Sequence, residues 1–593
     1  MIILGIHDGH NSGASIFVDG KLIFAISEEI ITRKKNEYGF PEKSITACLR
    51  YSNINKNKID FVAVSTKYLP PKYFMVKRNT TFKLNDYFRE QNDYWFPRIY
   101  KNKKIKYLKV FKNKIISKKK LKYIMKFIKH EDDTVGMQKA RRNLISKKLN
   151  INVNKIDFFD HHECHAYYGY YGSDKFEKNI AIVTADGGGD NTNGTIWLTS
   201  GDKLVEVYRT NICNIGRMYR YITLVLGMKP TEHEFKVMGM AGYGHENSNY
   251  YDKALKIFKD TLIINGIKFK YNKKPKDNFF YFKNKLNQFR FDTIAYAIQK
   301  YTEDLLVKWF VNISKKFKTP HFTFSGGVAQ NIKATKKIIE NKNIKSIFIP
   351  PGPGDESLCI GAVYCKLARL KFKRKKISNM INPYIGLSFK KNDLEFIKKE
   401  KTLHIEKSNN KKIAKLLAKG EIIARFSLEQ NEFGPRALGN RSILADPRKS
   451  DILHVINKKI KIRDFWMPFA PSILEEDLKN FLEIKKNQKP YFMTMSFDTK
   501  KNAINKIPAA IHPFDKTARP QLVSKKINKS YYDLIYQFKK ITGVGALLNT
   551  SFNLHGEPIV ASPKDAINTF KKTDLNYLYI GDYLIKKNQL IKL

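Results

Sequence analysis

Apolar and polar positions in the first thirty residues follow a short period. Ile2–Ile6, Ala14–Val18 and Lys21–Ile26 are apolar runs separated by a polar turn at Asp8–Ser12 and by Asp19-Gly20. Asp-Gly between apolar runs is a hairpin signal, so the start is predicted to be hairpin-linked strands. Further runs at Asp60–Ser65, Asn179–Thr184 and Gly194–Thr199 read as strands. Over Phe291–Phe317 the period becomes helical, with Ile294, Ile298, Leu305, Leu306, Trp309 and Ile313 on one side. His321–Phe324 and Ser346–Ile349 are predicted strands that run into glycine turns, with helices beginning near Val328 and Ser357. Strand, glycine turn and helix in succession define an α/β arrangement in which ligands sit at strand C-termini.

The pattern restarts after a basic stretch, Lys371–Lys376, and Asn-Met-Ile-Asn-Pro, which read as a linker. Strands are predicted at Glu421–Phe426, Val544–Leu548 and Tyr577–Ile580, and helices at Ser450–Lys459, Tyr531–Lys540 and Pro563–Lys571. A chain of 593 residues exceeds one ordinary core. Two α/β domains are expected, 1–375 and 376–593, the first carrying a basic helical insertion near 66–150. No apolar run is long enough to span a membrane. The N-terminus lacks the basic start of a signal peptide. Five scattered cysteines without a C-x-x-C fit a reduced, cytoplasmic setting.

The formal net charge is +54. Lysine is abundant in loops and helix faces alike, which reads as compositional drift. Arg98–His130 stands apart, because it contains no acidic residue and interleaves aromatics with lysines. It reads as a solvated helix pair, or as a face for an anionic glycan, an anionic acceptor or a membrane surface.

Chemistry concentrates in short motifs. In DHHECHA (Asp160–Ala166), His161 and His165 share one face if the segment is helical and can bind one metal ion. Asp186 and Asp355 lie in glycine turns from which carboxylates could reach the same centre, giving a His₂Asp₂ set suited to Fe(II), Zn or Mn. Cys164, His162 and Glu163 lie between and beside the histidines as core or supporting residues. Gly187, Gly188, Gly189, Ser325, Gly326, Gly327 and Asn331 form turns whose backbone amides can approach phosphate. His233, Glu234 and Lys236 precede another glycine-rich run. In the second half, Arg436 and Arg441 flank a turn in FGPRALGNRS, followed by Arg448, Lys461, Arg463, Arg519 and Asn549. Arginine is scarce beside lysine here, and its recurrence at Gly and Pro turns points to phosphate binding.

In this order the motifs GIHDGHNSGAS, EFKVMGMAGYG, SGGVAQN, FGPRALGNRSILADPR, MPFAPSIL, TARPQLV and NTSFNLHGEPIV resemble the O-carbamoyltransferase family. That family includes the nodulation protein NodU and the tobramycin and cephamycin carbamoyltransferases. The resemblance implies an N-terminal actin-like ATPase domain (Kae1-like) and a C-terminal YrdC-like α/β domain. It implies that the C-terminal domain joins carbamoyl phosphate and ATP, the latter with Mg2+, into carbamoyl-adenylate and pyrophosphate. The N-terminal domain then passes the carbamoyl group to a hydroxyl of a sugar, glycan or secondary metabolite. By the match, His161, His165, Asp186 and Asp355 ligate Fe(II). Arg436, Lys461, Arg519 and Asn549 fall on the carbamoyl phosphate site, with Arg463 beside them. The glycines of DGGGD and SGGVAQN hold the nucleotide. Lys35 contributes from the first domain, and His10 assists hydroxyl deprotonation. Two positions depart from the family: Met467 where many members carry Arg, with Arg463 as a candidate replacement, and Ile30 where members read EER. The alternative is a threonylcarbamoyl-type RNA modification enzyme, against which the FGPRALGNRS and NTSFN blocks argue; nucleic acid is therefore not the expected partner. A homodimer is compatible with the sequence.

Overall fold

The computed structural model describes residues 1–174, 179–201, 203–244 and 249–587. They divide into two compact units, Met1–Ile381 and Asn382–Leu593, each mixed α/β. The division falls within the expected linker, in Asn-Met-Ile-Asn-Pro, and later than the boundary expected at 375/376. Arg374 explains why: its guanidinium is buried and donates to the carbonyls of Tyr170, Tyr171 and Ser173, which ties the basic stretch into the first unit.

The first unit holds two five-stranded sheets. One has β1 (Ile2–His7), β2 (Gly13–Val18) and β3 (Lys21–Ser27) as an antiparallel meander. On the other side of β1, β4 (Phe61–Ser65) and β5 (Ile156–Phe159) run parallel to it, giving the order β3-β2-β1-β4-β5. The second sheet repeats this plan. β6 (Ile180–Gly189), β7 (Thr192–Ser200) and β8 (Lys203–Thr210) form its meander. After a separate hairpin of β9 (Leu262–Asn265) and β10 (Lys268–Tyr271), β11 (His321–Ser325) and β12 (Ser346–Phe348) lie parallel to β6. The order is β12-β11-β6-β7-β8, so the same topology occurs twice.

Five helices position the residues of interest: α1 (His161–Gly172), α2 (Ile215–Val225), α3 (Phe291–Phe317), α4 (Ile332–Glu340) and α5 (Leu358–Arg369). The helix expected from Val328 starts at Ile332, because a 3-10 turn over Gly327–Gln330 intervenes. α1 and α5 cross so closely that a Cβ on Gly361 would lie 2.3 Å from the Cys164 carbonyl oxygen. That approach explains the small residue there.

The helix pair expected in Arg98–His130 is short and not simply solvated. The segment makes a four-residue helix, Tyr107–Val110, and an eight-residue one, Lys118–Met125, and Tyr107 and Phe111 turn inward onto Phe82, Tyr87 and Tyr94. The second unit is built on an eight-stranded mixed sheet of β13 (Leu403–Lys407), β14 (Ile423–Phe426), β15 (Arg441–Ala445), β16 (Ala470–Leu474), β19 (Gln521–Val523), β20 (Ala546–Ser551), β21 (Tyr577–Ile580) and β22 (Tyr583–Lys587). The small pair β17 (Phe497–Asp498) and β18 (Thr517–Ala518) stands beside it. The sheet order is β13-β22-β21-β14-β15-β20-β16-β19, over a core that includes Phe426, Ile443, Leu548, Phe552 and Phe570.

Candidate functional site

In the first unit the site grows from the end of β5. Asp160 caps α1 by accepting the Glu163 amide at 3.0 Å, so His161 and His165 occupy the first turns of a true helix. The Asp190 carboxylate accepts the His161 amide at 2.8 Å and the Lys67 and Tyr68 amides at 2.9 and 2.7 Å, joining three segments. Asp186 comes from the end of β6 and Asp355 from the turn before α5. One ligand atom from each of His161, His165, Asp186 and Asp355 lies within 4.8 Å of the others.

The spacing suits a metal ion. His165 Nε2 is 3.4 Å from Asp186 Oδ2 and 3.6 Å from Asp355 Oδ1, and His161 Nε2 is 3.5 Å from Asp355 Oδ1. Ligands about 2.1 Å from one ion are separated by about 3.0–3.4 Å in octahedral or tetrahedral geometry. The buried Nε2 atoms of both histidines lack a hydrogen-bond partner among the described residues, although buried polar nitrogens almost always have one. His161 Nδ1 lies 3.0 Å from Thr66 Oγ1, which fixes the ring with Nε2 outward. Burial opposes a charge on His165, but Asp186 and Asp355 outweigh it and lift the imidazole to about 9. Both carboxyls are themselves held low despite their burial, chiefly by the histidines. The set therefore attracts a cation.

The glycine turns serve this centre as well as any ligand. Gly189 has no room for a side chain, since a Cβ would fall 2.2 Å from the His161 ring. Gly187 N and Gly327 N both donate to Asp186, the latter at 2.7 Å. Ser325 Oγ donates to the His165 carbonyl at 2.6 Å, and Asn331 caps α4 while bonding Gln299. Ser325, Gly327 and Asn331 thus have internal partners where nucleotide contacts were expected. Gly188 packs beneath Arg217, whose Nε donates to the Gly187 carbonyl at 2.6 Å. Gly326 is needed for its φ of +92° and for its approach to Ala185.

His10 lies on the β1–β2 turn. Burial holds its imidazole below the ordinary range, and the fields of Asp355 and Asp186 reach it. Its Nδ1, together with Asn11 Oδ1 and Ser12 Oγ, is buried without a partner among the described residues. The turn is fixed from behind by Arg141, whose Nε and Nη2 donate to Asp8 at 2.9 and 2.5 Å and which also donates to the carbonyls of Ser65 and Thr66. Asp8, in the first turn, is thus engaged in a buried ion pair. Lys35 pairs with Glu232 at 3.1 Å, and Lys229 reaches the same carboxylate at 2.6 Å. Burial opposes the charge on Glu232, but these lysines outweigh it and bring its carboxyl down to about 2. Ile30 is buried in the core.

Sequence reasoning missed Arg141, Thr66, Arg217 and Arg220. Arg220, one turn beyond Arg217 on α2, projects its charge onto His10 and has no carboxylate within 4 Å among the described residues. Its clue in the chain was weak: an i, i+3 arginine pair following a strand.

The second unit holds a cluster of opposite sign. Burial and the charge of Arg436 bring Arg463 down to about 10. Burial, Arg436 and Arg463 push Arg519 further down. Arg463 also donates to Thr550 Oγ1 at 3.1 Å and lies over Phe469. Three guanidinium groups lie in one another's field, a candidate anion site. Asn549 donates to the Ala437 carbonyl and Ser472 Oγ, leaving its buried Oδ1 without a partner among the described residues. Lys461 is buried with its ammonium on Ser551 and Asn553. The other arginines are structural: Arg441 is fully buried against Phe426 and donates to carbonyls, and Arg448 pairs with the buried Asp446 at 2.7 Å.

Residues 2–364 match the family described as Carbamoyltransferase N-terminus, and residues 414–587 match Carbamoyltransferase C-terminus. The chain belongs to the carbamoyltransferase family. It is a transferase enzyme of that family. An uncharacterized protein of Methanocaldococcus jannaschii is 34% identical over 99% of this chain and 100% of its own length. Nodulation protein NolNO of Sinorhizobium fredii is 29% identical over 98% of this chain and 79% of its own. Nodulation protein NolO of Bradyrhizobium diazoefficiens is 32% identical over 72% and 79%. Among solved structures, component A of the (R)-2-hydroxyglutaryl-CoA dehydratase of Acidaminococcus fermentans covers 62% of this chain and 99% of its own at 12% identity and a TM-score of 0.32. No helix among the described residues is long and apolar enough to cross a membrane.

Proposed function

We propose that this carbamoyltransferase is an ATP-dependent O-carbamoyltransferase with two working sites, in an actin-like first unit and a YrdC-like second unit. The repeated sheet plan of the first unit supports the actin-like part. The observation that carries the reading is the pairing of opposite charge requirements in one chain: a cation-attracting His₂Asp₂ set and an anion-attracting arginine cluster.

In the second unit, Arg436, Arg463 and Arg519 hold the phosphate of carbamoyl phosphate, and Asn549 and Lys461 stiffen the floor beneath it. Water cleaves carbamoyl phosphate to carbamate and phosphate. A carbamate oxygen then attacks the α-phosphorus of ATP, and pyrophosphate leaves with the two terminal phosphoryl groups. In the first unit, His161, His165, Asp186 and Asp355 would hold a divalent ion, Fe(II) by family resemblance, whose Lewis acidity supplies charge neutralisation at an adenylate phosphate. His10, neutral through burial, takes the proton of the acceptor hydroxyl as that oxygen bonds to the carbamoyl carbon and AMP departs. Arg217 and Arg220 place positive charge beside the same position. Lys35 acts by fixing Glu232 at the rim.

The test is ATP–pyrophosphate exchange by the purified chain. Exchange that requires carbamoyl phosphate supports the reading, and its absence with both substrates saturating rejects it.

A further inference from the structure

The segment 98–130 carries thirteen lysines, one arginine and no acidic residue. In the structure twelve of those lysines are exposed, Lys114 being the exception. The fold sorts the segment sharply. Tyr107 and Phe111 are buried in an aromatic cluster with Tyr94 and Phe82, and Ile124 and Ile128 are buried with Met75 and Met137. The anchors face inward and the ammonium groups outward.

Of the nearby acids, Asp93 and Asp132 are exposed, beside Arg89 and Lys72, while three others turn inward. Glu90 is buried and holds Arg78 and the Tyr107 hydroxyl. Glu131 accepts the Tyr107 amide at 2.7 Å, and Asp86 takes Lys114 at 3.1 Å. None of the twelve exposed lysines has a carboxylate within 4 Å among the described residues. The outward charge is therefore uncompensated over a rigidly anchored face. Acid-free runs also occur at 305–339 and 357–392, but each carries only seven lysines, against the thirteen of 98–130.

The chemistry of the face selects its partner. Nucleic-acid surfaces favour arginine forks and exposed aromatic rings on which bases stack. Here lysine outnumbers arginine thirteen to one, and the central rings are buried. Compact ammonium charges on flexible stems suit a diffuse array of anionic headgroups. Within the same segment, Met125 at the end of the Lys118–Met125 helix is 53% exposed and Tyr100 is 39% exposed, so apolar groups also reach solvent. We propose that the 98–130 face docks the protein peripherally on an anionic lipid bilayer. The inference is independent of the reaction assigned above, because it rests on residues outside both sites.

The test is co-sedimentation of the full chain with phosphatidylcholine vesicles, with and without phosphatidylserine. One variant replaces Lys118, Lys119, Lys120 and Lys122 with Gln. A second removes the same charge elsewhere, at Lys411, Lys415, Lys525 and Lys526, which are also exposed and without carboxylate partners. Binding of the wild type should require phosphatidylserine and fall steeply with salt. The first variant should partition at least about 10²-fold more weakly, since each basic residue near an anionic surface contributes about fivefold. The second should keep most of its binding. Circular dichroism reports whether either variant has lost its fold. Equal losses in both variants would mean that net charge alone acts, and binding to neutral vesicles would mean that charge is irrelevant. If the first variant loses a single-stranded RNA oligomer but keeps the vesicles, the face is a nucleic-acid surface. Any of these three results overturns the proposal.

Discussion

The arginine cluster of the second unit makes a prediction of unusual sign: Arg463→Met should stabilise the unliganded protein while weakening carbamoyl phosphate binding. Burial and the Arg436 charge bring Arg463 from the ordinary arginine range down to about 10. At 1.36 kcal/mol per unit, this places about 3 kcal/mol of unfavourable free energy on the charged side chain. Arginine does not relieve this by losing its proton at neutral pH. The folded pKa is the depressed one, so the penalty is fully present below about pH 10 and lessens only as pH rises toward the unfolded value. Methionine keeps the aliphatic packing near Phe469 but loses the bond to Thr550, a loss of about 1 kcal/mol. The expected net gain is about 1–2 kcal/mol. It is read as a shift of the second unit's denaturation midpoint in urea, without added anions. Carbamoyl phosphate should then stabilise the wild type strongly and the variant weakly, because only binding to the folded state adds stability. A variant that is less stable without ligand, in a protein that carbamoyl phosphate does not stabilise, would refute the reasoning and make the cluster structural.

Three other outcomes follow from the geometry. His10→Ala should slow carbamoyl transfer by roughly 10²–10⁴-fold and leave pyrophosphate exchange intact, as expected for loss of one general base; normal transfer would remove its role. His161→Ala and His165→Ala should each lower bound divalent metal in purified protein, measured by elemental analysis, and chelation of the wild type should lower the first unit's melting temperature; unchanged metal content would contradict the ligand assignment. Asp8→Ala leaves the Arg141 charge buried and should cost about 3–5 kcal/mol in urea denaturation, whereas the double replacement Asp8→Leu with Arg141→Met should cost less; equal losses would show that charge is not the cause.

Short-range features were legible in the chain. The hairpin strands, the 27-residue helix α3 and the pairing of His161 with His165 all follow from local period and spacing. Long-range pairing was not. Arg141 meets Asp8 across 133 residues, and a basic helix in a lysine-rich chain gives no sign of which guanidinium turns inward. Polar residues in glycine turns were ambiguous for a physical reason. Ser325 and Asn331 satisfy backbone groups with the same atoms they would offer a ligand. In FGPRALGNRS the two arginines look equivalent, yet Arg441 lies on a strand buried on both faces while Arg436 sits in the preceding turn. Aromatics among the lysines of 98–130 suggested exposed interleaving, but the large buried area of a tyrosine or phenylalanine favours the core when a cluster is available.

Separation of the two half-reactions is the most direct measurement. Pyrophosphate exchange and carbamoyl transfer should be assayed side by side in Arg519→Ala and His161→Ala, with carbamoylated products sought by mass spectrometry in an extract of the source cells. Loss of exchange and transfer in Arg519→Ala, with exchange kept and transfer lost in His161→Ala, is the expected pattern. Exchange that survives without Arg519 and disappears without His161 would contradict the assignment of charging to the second unit and transfer to the first.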